Sequence, residues 1–204
     1  MQKILLAALS PLFLFSSPLL AQKTAEDYLT QGNAMYRVND LKEAMKKYNK
    51  AIALRDDYAE AYYNRGVIKF ELSDYKGAAE DYEKAIELYP DFADAYFNRA
   101  LLKHTRSDLA GALADYDKTI FLRPDDYEAY KSRADVKFDM KNYPAAIADY
   151  TKAVQLFPDY PDAYMNRGLA KFNIRQIHEA CLDWNTARKL GNTEAEGFIN
   201  GYCR

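Results

Sequence analysis

Asp135 and Asp139, with Glu128 nearby, are the carboxylates a weak hydrolase or an enzyme accessory would draw on. Acid–base or nucleophilic chemistry at such carboxylates wants a histidine or a second tuned group within reach. The chain has only two histidines. His104 falls where a contact or packing residue is expected, and His178 opens a helix on its exposed side. Neither has a second His or Cys at metal-ligand spacing. No glycine-rich phosphate loop is present. No catalytic residue, metal site or cofactor is therefore expected. The formal net charge is −2, which gives no electrostatic footprint for a nucleic-acid backbone.

Residues 1–21, "MQKILLAALSPLFLFSSPLLA", are of different composition from the rest. One basic residue, Lys3, precedes an apolar run that ends at Ala21. That is the form of a secretory signal peptide, with cleavage expected after Ala21. Two prolines and three serines interrupt the run, which is poor for a spanning helix. The protein is expected in an extracytoplasmic compartment, such as a bacterial periplasm. Contact with a membrane is expected only if the leader is kept. No cysteine lies near the junction, so a lipid-anchored start is not expected.

The rest of the chain must place its polar groups through a repeat. "AYYNRG" at 61–66 returns as "AYFNRA", "AYKSRA" and "AYMNRG", each time 34 residues on. With the small residue after Arg numbered position 8, the repeats run 25–58, 59–92, 93–126, 127–160 and 161–194. Position 8 is Gly32, Gly66, Ala100, Ala134 and Gly168. Position 20 is Ala throughout (44, 78, 112, 146, 180). Position 24 is Tyr48, Tyr82, Tyr116, Tyr150 and Trp184. Position 27 is Ala51, Ala85, Thr119, Ala153 and Ala187. Small residues at 8, 20 and 27 let two helices approach closely, and the aromatic at 24 fills the space beside them.

This pattern and period resemble the tetratricopeptide repeat (TPR). The resemblance implies an all-α, right-handed superhelical solenoid of five helix hairpins, closed by a capping helix at 195–204. Asp40, Asp74, Asp108 and Asn142 are expected N-caps of the second helices. Asp57, Asp91, Asp125 and Asp159, each with an acid three residues on, predict capping boxes for the first helices, and Thr193 with Glu196 for the last. The acids at position 2 (Glu26, Glu60, Asp94, Glu128, Asp162) are ascribed to capping as well.

Position 7 is Arg65, Arg99, Arg133 and Arg167. Position 23, equally far beyond the turn, is Asp81, Asp115, Asp149 and Asp183. The first repeat breaks both, with Gln31 and Lys47. A planar Arg–carboxylate pair inside each hairpin is expected. An Arg ladder facing a ligand is the alternative.

The resemblance also places a ligand groove on the concave side. Tyr63, Phe70, Phe97 and Phe172 would supply apolar contacts, several such aromatics packing between repeats instead. Asn64, Asn98 and Asn166 would hold a peptide backbone or bond between repeats. Lys131 and Asp135 form a polar band in the fourth repeat that would favour a basic ligand residue. The carboxylate-clamp set of heat-shock cochaperones is missing, because acids stand at 94, 128 and 162 where that site needs a cation. A non-enzymatic scaffold that binds a protein or peptide is the leading expectation. A structural spacer or self-associating unit is the runner-up.

Residues 181–203 resemble the end of many secreted bacterial TPR proteins, with Cys-x-Asp-Trp and a terminal Tyr-Cys. Cys181 and Cys203 are the only cysteines. In an oxidising compartment they are expected to bond and staple the cap.

Overall fold

The computed structural model describes residues 23–203, so the expected leader and its cleavage point lie outside the described residues. Among these, the chain forms eleven α-helices and no strand. Five hairpins follow one another: α1 (Ala25–Arg37) with α2 (Leu41–Leu54), α3 (Ala59–Glu71) with α4 (Tyr75–Leu88), α5 (Ala93–Thr105) with α6 (Leu109–Leu122), α7 (Tyr127–Asp139) with α8 (Tyr143–Leu156), and α9 (Pro161–Asn173) with α10 (Ile177–Lys189). A short α11 (Ala195–Tyr202) closes the stack. Consecutive packing of these pairs makes a superhelical solenoid. None of the helices is long and apolar enough to cross a membrane, among the described residues.

Each hairpin turns at a residue in the left-handed region. Asn39, Ser73, Ser107, Lys141 and Arg175 occupy the same repeat position, with φ between 60 and 66°. The next N–H reaches back five residues, as from Asp74 to the Lys69 carbonyl (2.8 Å) and from Asp108 to the Lys103 carbonyl (2.8 Å). That bond satisfies a carbonyl which the helix end would leave orphaned. The second helices then start on the expected caps. Asp40, Asp74, Asp108 and Asn142 accept from the N–H three residues on, at 3.0–3.4 Å.

The first helices start one residue later than the capping-box spacing predicts. Their N-caps are Tyr58, Phe92, Asp126 and Tyr160, and only Asp126 makes a side-chain cap bond among these four. The ring at this position sets the register. Phe92 packs at 4.9 Å from the Tyr63 ring, and Tyr58 and Tyr160 pack against the buried clusters. Packing of an aromatic outweighs the roughly 1 kcal/mol of a cap. In the first repeat Thr24 and Asp27 do form a capping box. At α11 the N-cap is Glu194, and Asn192 Oδ1 accepts from Ala195 N (3.1 Å). Three of the five position-2 acids reach across the hairpin instead of capping it. Glu26 meets Arg55 (2.5 Å), Asp94 meets Arg123 (2.8 Å) and Asp162 accepts from Asn192 (3.1 Å).

The core is a column of small residues and aromatics. Alanines at positions 20 and 27 and the aromatic at 24 are all buried. A Cβ on Gly32 would lie 2.4 Å from the Tyr48 ring, and one on Gly168 would lie 2.5 Å from Trp184 Nε1. The first helices of adjacent repeats touch (α3 with α5, α5 with α7, α7 with α9). The layer that closes up is the inner one, so first helices line the concave side and second helices the convex side. At the end, Phe198 lies 5.1 Å from the Trp184 ring and Tyr202 4.6 Å from Phe172. The structure joins Cys181 of α10 to Cys203, with Cα atoms 5.7 Å apart.

Candidate functional site

The arginines at position 7 are held within the hairpins. Arg65 donates through Nε and Nη2 to Asp81 at 2.8 and 2.6 Å. The same fork joins Arg99 to Asp115, Arg133 to Asp149 and Arg167 to Asp183, at 2.6–2.9 Å. All four aspartates are at most 6% exposed. Each guanidinium also lies 5.2–5.5 Å from the ring of a tyrosine three residues earlier. A second cation completes each site. Lys69, Lys103, Lys137 and Lys171 approach the same aspartates at 2.7–2.8 Å. These lysines also recur every 34 residues, at position 11. Sequence reading passed over them because a lysine on a helix face ordinarily means only a solvated surface. In the first repeat position 11 is Met35, and Lys47 turns to Glu43 (3.0 Å).

On the concave wall the asparagine ladder bonds from repeat to repeat. Asn64 Nδ2 donates to Asn33 Oδ1 (3.0 Å), Asn98 to Tyr63 Oη (2.9 Å) and Asn166 to Asp135 Oδ1 (3.1 Å). Tyr150 Oη donates to that same Asp135 oxygen (2.6 Å), and Lys131 Nζ meets the other (2.7 Å). Burial first, and the Asp135 charge second, push the Tyr150 hydroxyl well above its ordinary range. Asp135 is thus occupied on both oxygens by its own chain, which leaves it poorly placed to shuttle a proton or grip a ligand. Tyr48 makes the matching bond to Asn33 (2.8 Å) in the first repeat. In the third repeat that position is Leu101, so the buried Tyr116 hydroxyl lacks the matching acceptor.

The groove aromatics are half-buried, each with one side in the core. Tyr63 lies 6.1 Å from the Tyr82 ring, Phe97 5.5 Å from Tyr116 and Phe172 5.7 Å from Trp184. Phe70 lies 5.6 Å from Tyr75. Burial, then the Asp94 charge, hold the Tyr63 hydroxyl up to about 12.

What remains available has a period of two repeats, invisible when each repeat is compared only with the next. Across the first four repeats, position 12 is Tyr36 and His104 in the odd ones and Phe70 and Phe138 in the even ones; the fifth, with Phe172, leaves the pattern. Position 13 is acidic only in even repeats, at Glu71 and Asp139. Position 31 is Arg55 and Arg123 in the first and third repeats, Tyr89 and Phe157 in the second and fourth, and Gly191 in the fifth. Tyr36 donates to Glu71, and this bond ahead of burial pushes the Tyr36 hydroxyl up to about 12. His104 Nε2 lies 2.6 Å from Asp139 Oδ2 in the equivalent place. The aromatic at 31 deprives Glu60 and Glu128 of the arginine that neutralises Glu26 and Asp94. They have no cationic partner among the described residues. Beside Asp139 a pocket of about 230 Å³ opens, with Phe138 and Leu169 as apolar walls and Asp135, Tyr150 and Asn166 as polar ones.

Sequence families agree with this architecture. A tetratricopeptide repeat matches residues 59–92, a TPR repeat matches 32–73 and 134–174, and a further tetratricopeptide repeat matches 81–114. No curated protein matches the chain. Among solved structures it is similar to YrrB, a TPR protein described as having an unusual peptide-binding site. The TM-score is 0.72 at 22% identity, covering 83% of this chain and 87% of that one. It is similar to MamA from Desulfovibrio magneticus RS-1, with TM-score 0.76 at 19% identity, covering 81% and 94%. It is also similar to Pseudomonas aeruginosa pilF, with TM-score 0.75 at 17% identity, covering 82% and 76%. At these identities the likeness speaks to the fold.

Proposed function

The chain belongs to the tetratricopeptide-repeat family, and from that premise we propose that it is an extracytoplasmic scaffold whose concave wall binds a basic, partly apolar segment of a partner protein. The observation that carries this is the two-repeat alternation. Glu60 and Glu71, then Glu128 and Asp139, put carboxylates at both ends of α3 and α7, next to half-exposed rings; Glu60 and Glu128 have no cation of their own among the described residues, and Glu71 and Asp139 are met by Tyr36 and His104. A lysine or arginine of the ligand can pair with the carboxylate while its stem lies on the ring. Tyr63, Phe70, Phe97 and Phe172 would take apolar side chains. The asparagines have given one amide bond to the neighbouring repeat and keep their carbonyl oxygens for a ligand N–H. The apolar leader and the joined cysteine pair support an oxidising compartment, the periplasm being the reading that fits both.

Peptide-display selection on the immobilised protein tests the proposal. Selected sequences should be enriched in Lys and Arg flanking apolar residues. Glu128→Gln with Asp139→Asn should weaken them about tenfold, the sum of two partly exposed ion pairs. Selection without cationic enrichment, or binding indifferent to those substitutions, would defeat it.

A further inference from the structure

The convex side carries a feature that the groove does not use. Along α2, Lys42, Lys46 and Lys50 stand four residues apart, all exposed. They border an apolar trough of about 620 Å³, floored by Leu41, Met45 and Leu72. A second trough of about 270 Å³, between Tyr28 and Leu54, shares Lys50 and Ala53 with it and adds Lys23. The two make one strip, and every charged residue lining it is a lysine. Glu43, outside that lining, pairs with Lys46 (3.3 Å) and Lys47 (3.0 Å). Lys23 and Lys50 lie 5.9 and 5.2 Å from the Tyr28 ring.

This strip is confined to the first hairpin. At the positions of Lys42, Lys46 and Lys50, the second hairpin has Lys76, Glu80 and Lys84. The third has Ala110, Ala114 and Lys118, and the fourth Pro144, Ala148 and Lys152. The strip begins at Lys23, ahead of α1. Leu54 and Leu72, 50% and 56% exposed, stand at its two ends.

We propose that the outer face of the first hairpin docks on an anionic lipid bilayer. Lysine stems can lie along the apolar floor while their ammonium groups meet phosphate, and the exposed leucines enter the headgroup layer. A face rimmed by lysines is the charge pattern that anionic leaflets attract. The convex face would then hold the protein at the bilayer and leave the concave groove open.

Vesicle flotation of the full chain distinguishes this from a merely solvated helix. The vesicles are phosphatidylcholine alone, or phosphatidylcholine with phosphatidylglycerol. Binding is expected on the phosphatidylglycerol vesicles at low salt, weakening steeply as salt rises. Lys42→Gln/Lys46→Gln/Lys50→Gln should weaken it by about a hundredfold, roughly fivefold per lysine. Lys118→Gln/Lys152→Gln, from the third and fourth hairpins, should leave it unchanged. Any pull from residues 1–22 is common to all these chains, so the comparison isolates the strip. Equal binding by the triple variant and the parent, or no preference for phosphatidylglycerol, overturns the proposal. Both results are independent of peptide selection on the concave side.

Discussion

In the first hairpin positions 7, 11 and 23 are Gln31, Met35 and Lys47; in the four that follow they are Arg, Lys and Asp. Both kinds of hairpin close on buried small residues and a buried aromatic ring at position 24. The ionic triad is therefore not what makes two helices pair. Small residues and an aromatic suffice for that. The triad puts a carboxylate into the interior and then surrounds it with two cations, so the later hairpins become intolerant of losing a partner. Such a buried ion pair adds little net stability, because burying the charges offsets most of what their attraction returns.

The sharpest way to break this comparison is to remove both cations from one later hairpin. Arg133→Ala with Lys137→Met leaves Asp149 buried and unpaired, and should cost about 3–5 kcal/mol. Arg133→Ala alone should cost about 2 kcal/mol, since Lys137 still holds the carboxylate at 2.7 Å. Gln31→Ala with Lys47→Ala should stay within about 0.5 kcal/mol. Hydrogen exchange of each hairpin's own amides is the fitting readout, because repeat arrays can open in parts. Equal losses in the first and fourth hairpins would end the distinction.

Reducing the bond between Cys181 and Cys203 comes next. It closes a sequence separation of 22 residues, worth about 3 kcal/mol in the chain-entropy view. Protection in α11 and α10 should fall under reductant while α1 and α2 are unaffected. A smaller effect separates the two kinds of helix start. Asp74→Ala should cost about 1 kcal/mol and Asp57→Ala about a third of that or less, by thermal melts. The smallest sharpens the comparison from the other side. Installing Gln31→Arg, Met35→Lys and Lys47→Asp together should change stability by no more than about 1 kcal/mol in either direction.

Alkaline titration checks the core rings without mutation. The Tyr48 and Tyr63 hydroxyls are held up to about 12, chiefly by burial. A tyrosine whose folded value is raised favours the neutral folded state. Stability should therefore hold below pH 10 and fall between pH 10 and about 12, as the unfolded chain ionises first. Absorbance of tyrosinate that rises fully before the helical signal falls would contradict this.

The period of 34 made the helices, the small-residue column and the Arg–Asp spacing of 16 legible, because all three repeat in phase. The third member of the triad repeated too, but Lys69 and its counterparts gain meaning only once the two helices face each other. Asp57 and Glu60 had the spacing of a cap, yet the Tyr58 ring took the position by packing. Asp135 looked like a free acid because nothing in the order of residues shows that Tyr150, Asn166 and Lys131 converge on it. The alternation at positions 12, 13 and 31 lay in plain letters at a period of 68, and needed the hairpin geometry to show which letters meet.

The bond from α10 to Cys203 also gives the molecule a mechanical direction. In a stack where each hairpin leans mainly on its neighbours, tension applied through the two termini is carried in series. At one end the last helix is stitched to the hairpin beneath it. At the other, α1 has no helix outside it among the described residues and no triad within its hairpin. A pull should peel the first hairpin away while the stitched end stays folded, so the protein would lengthen from its beginning.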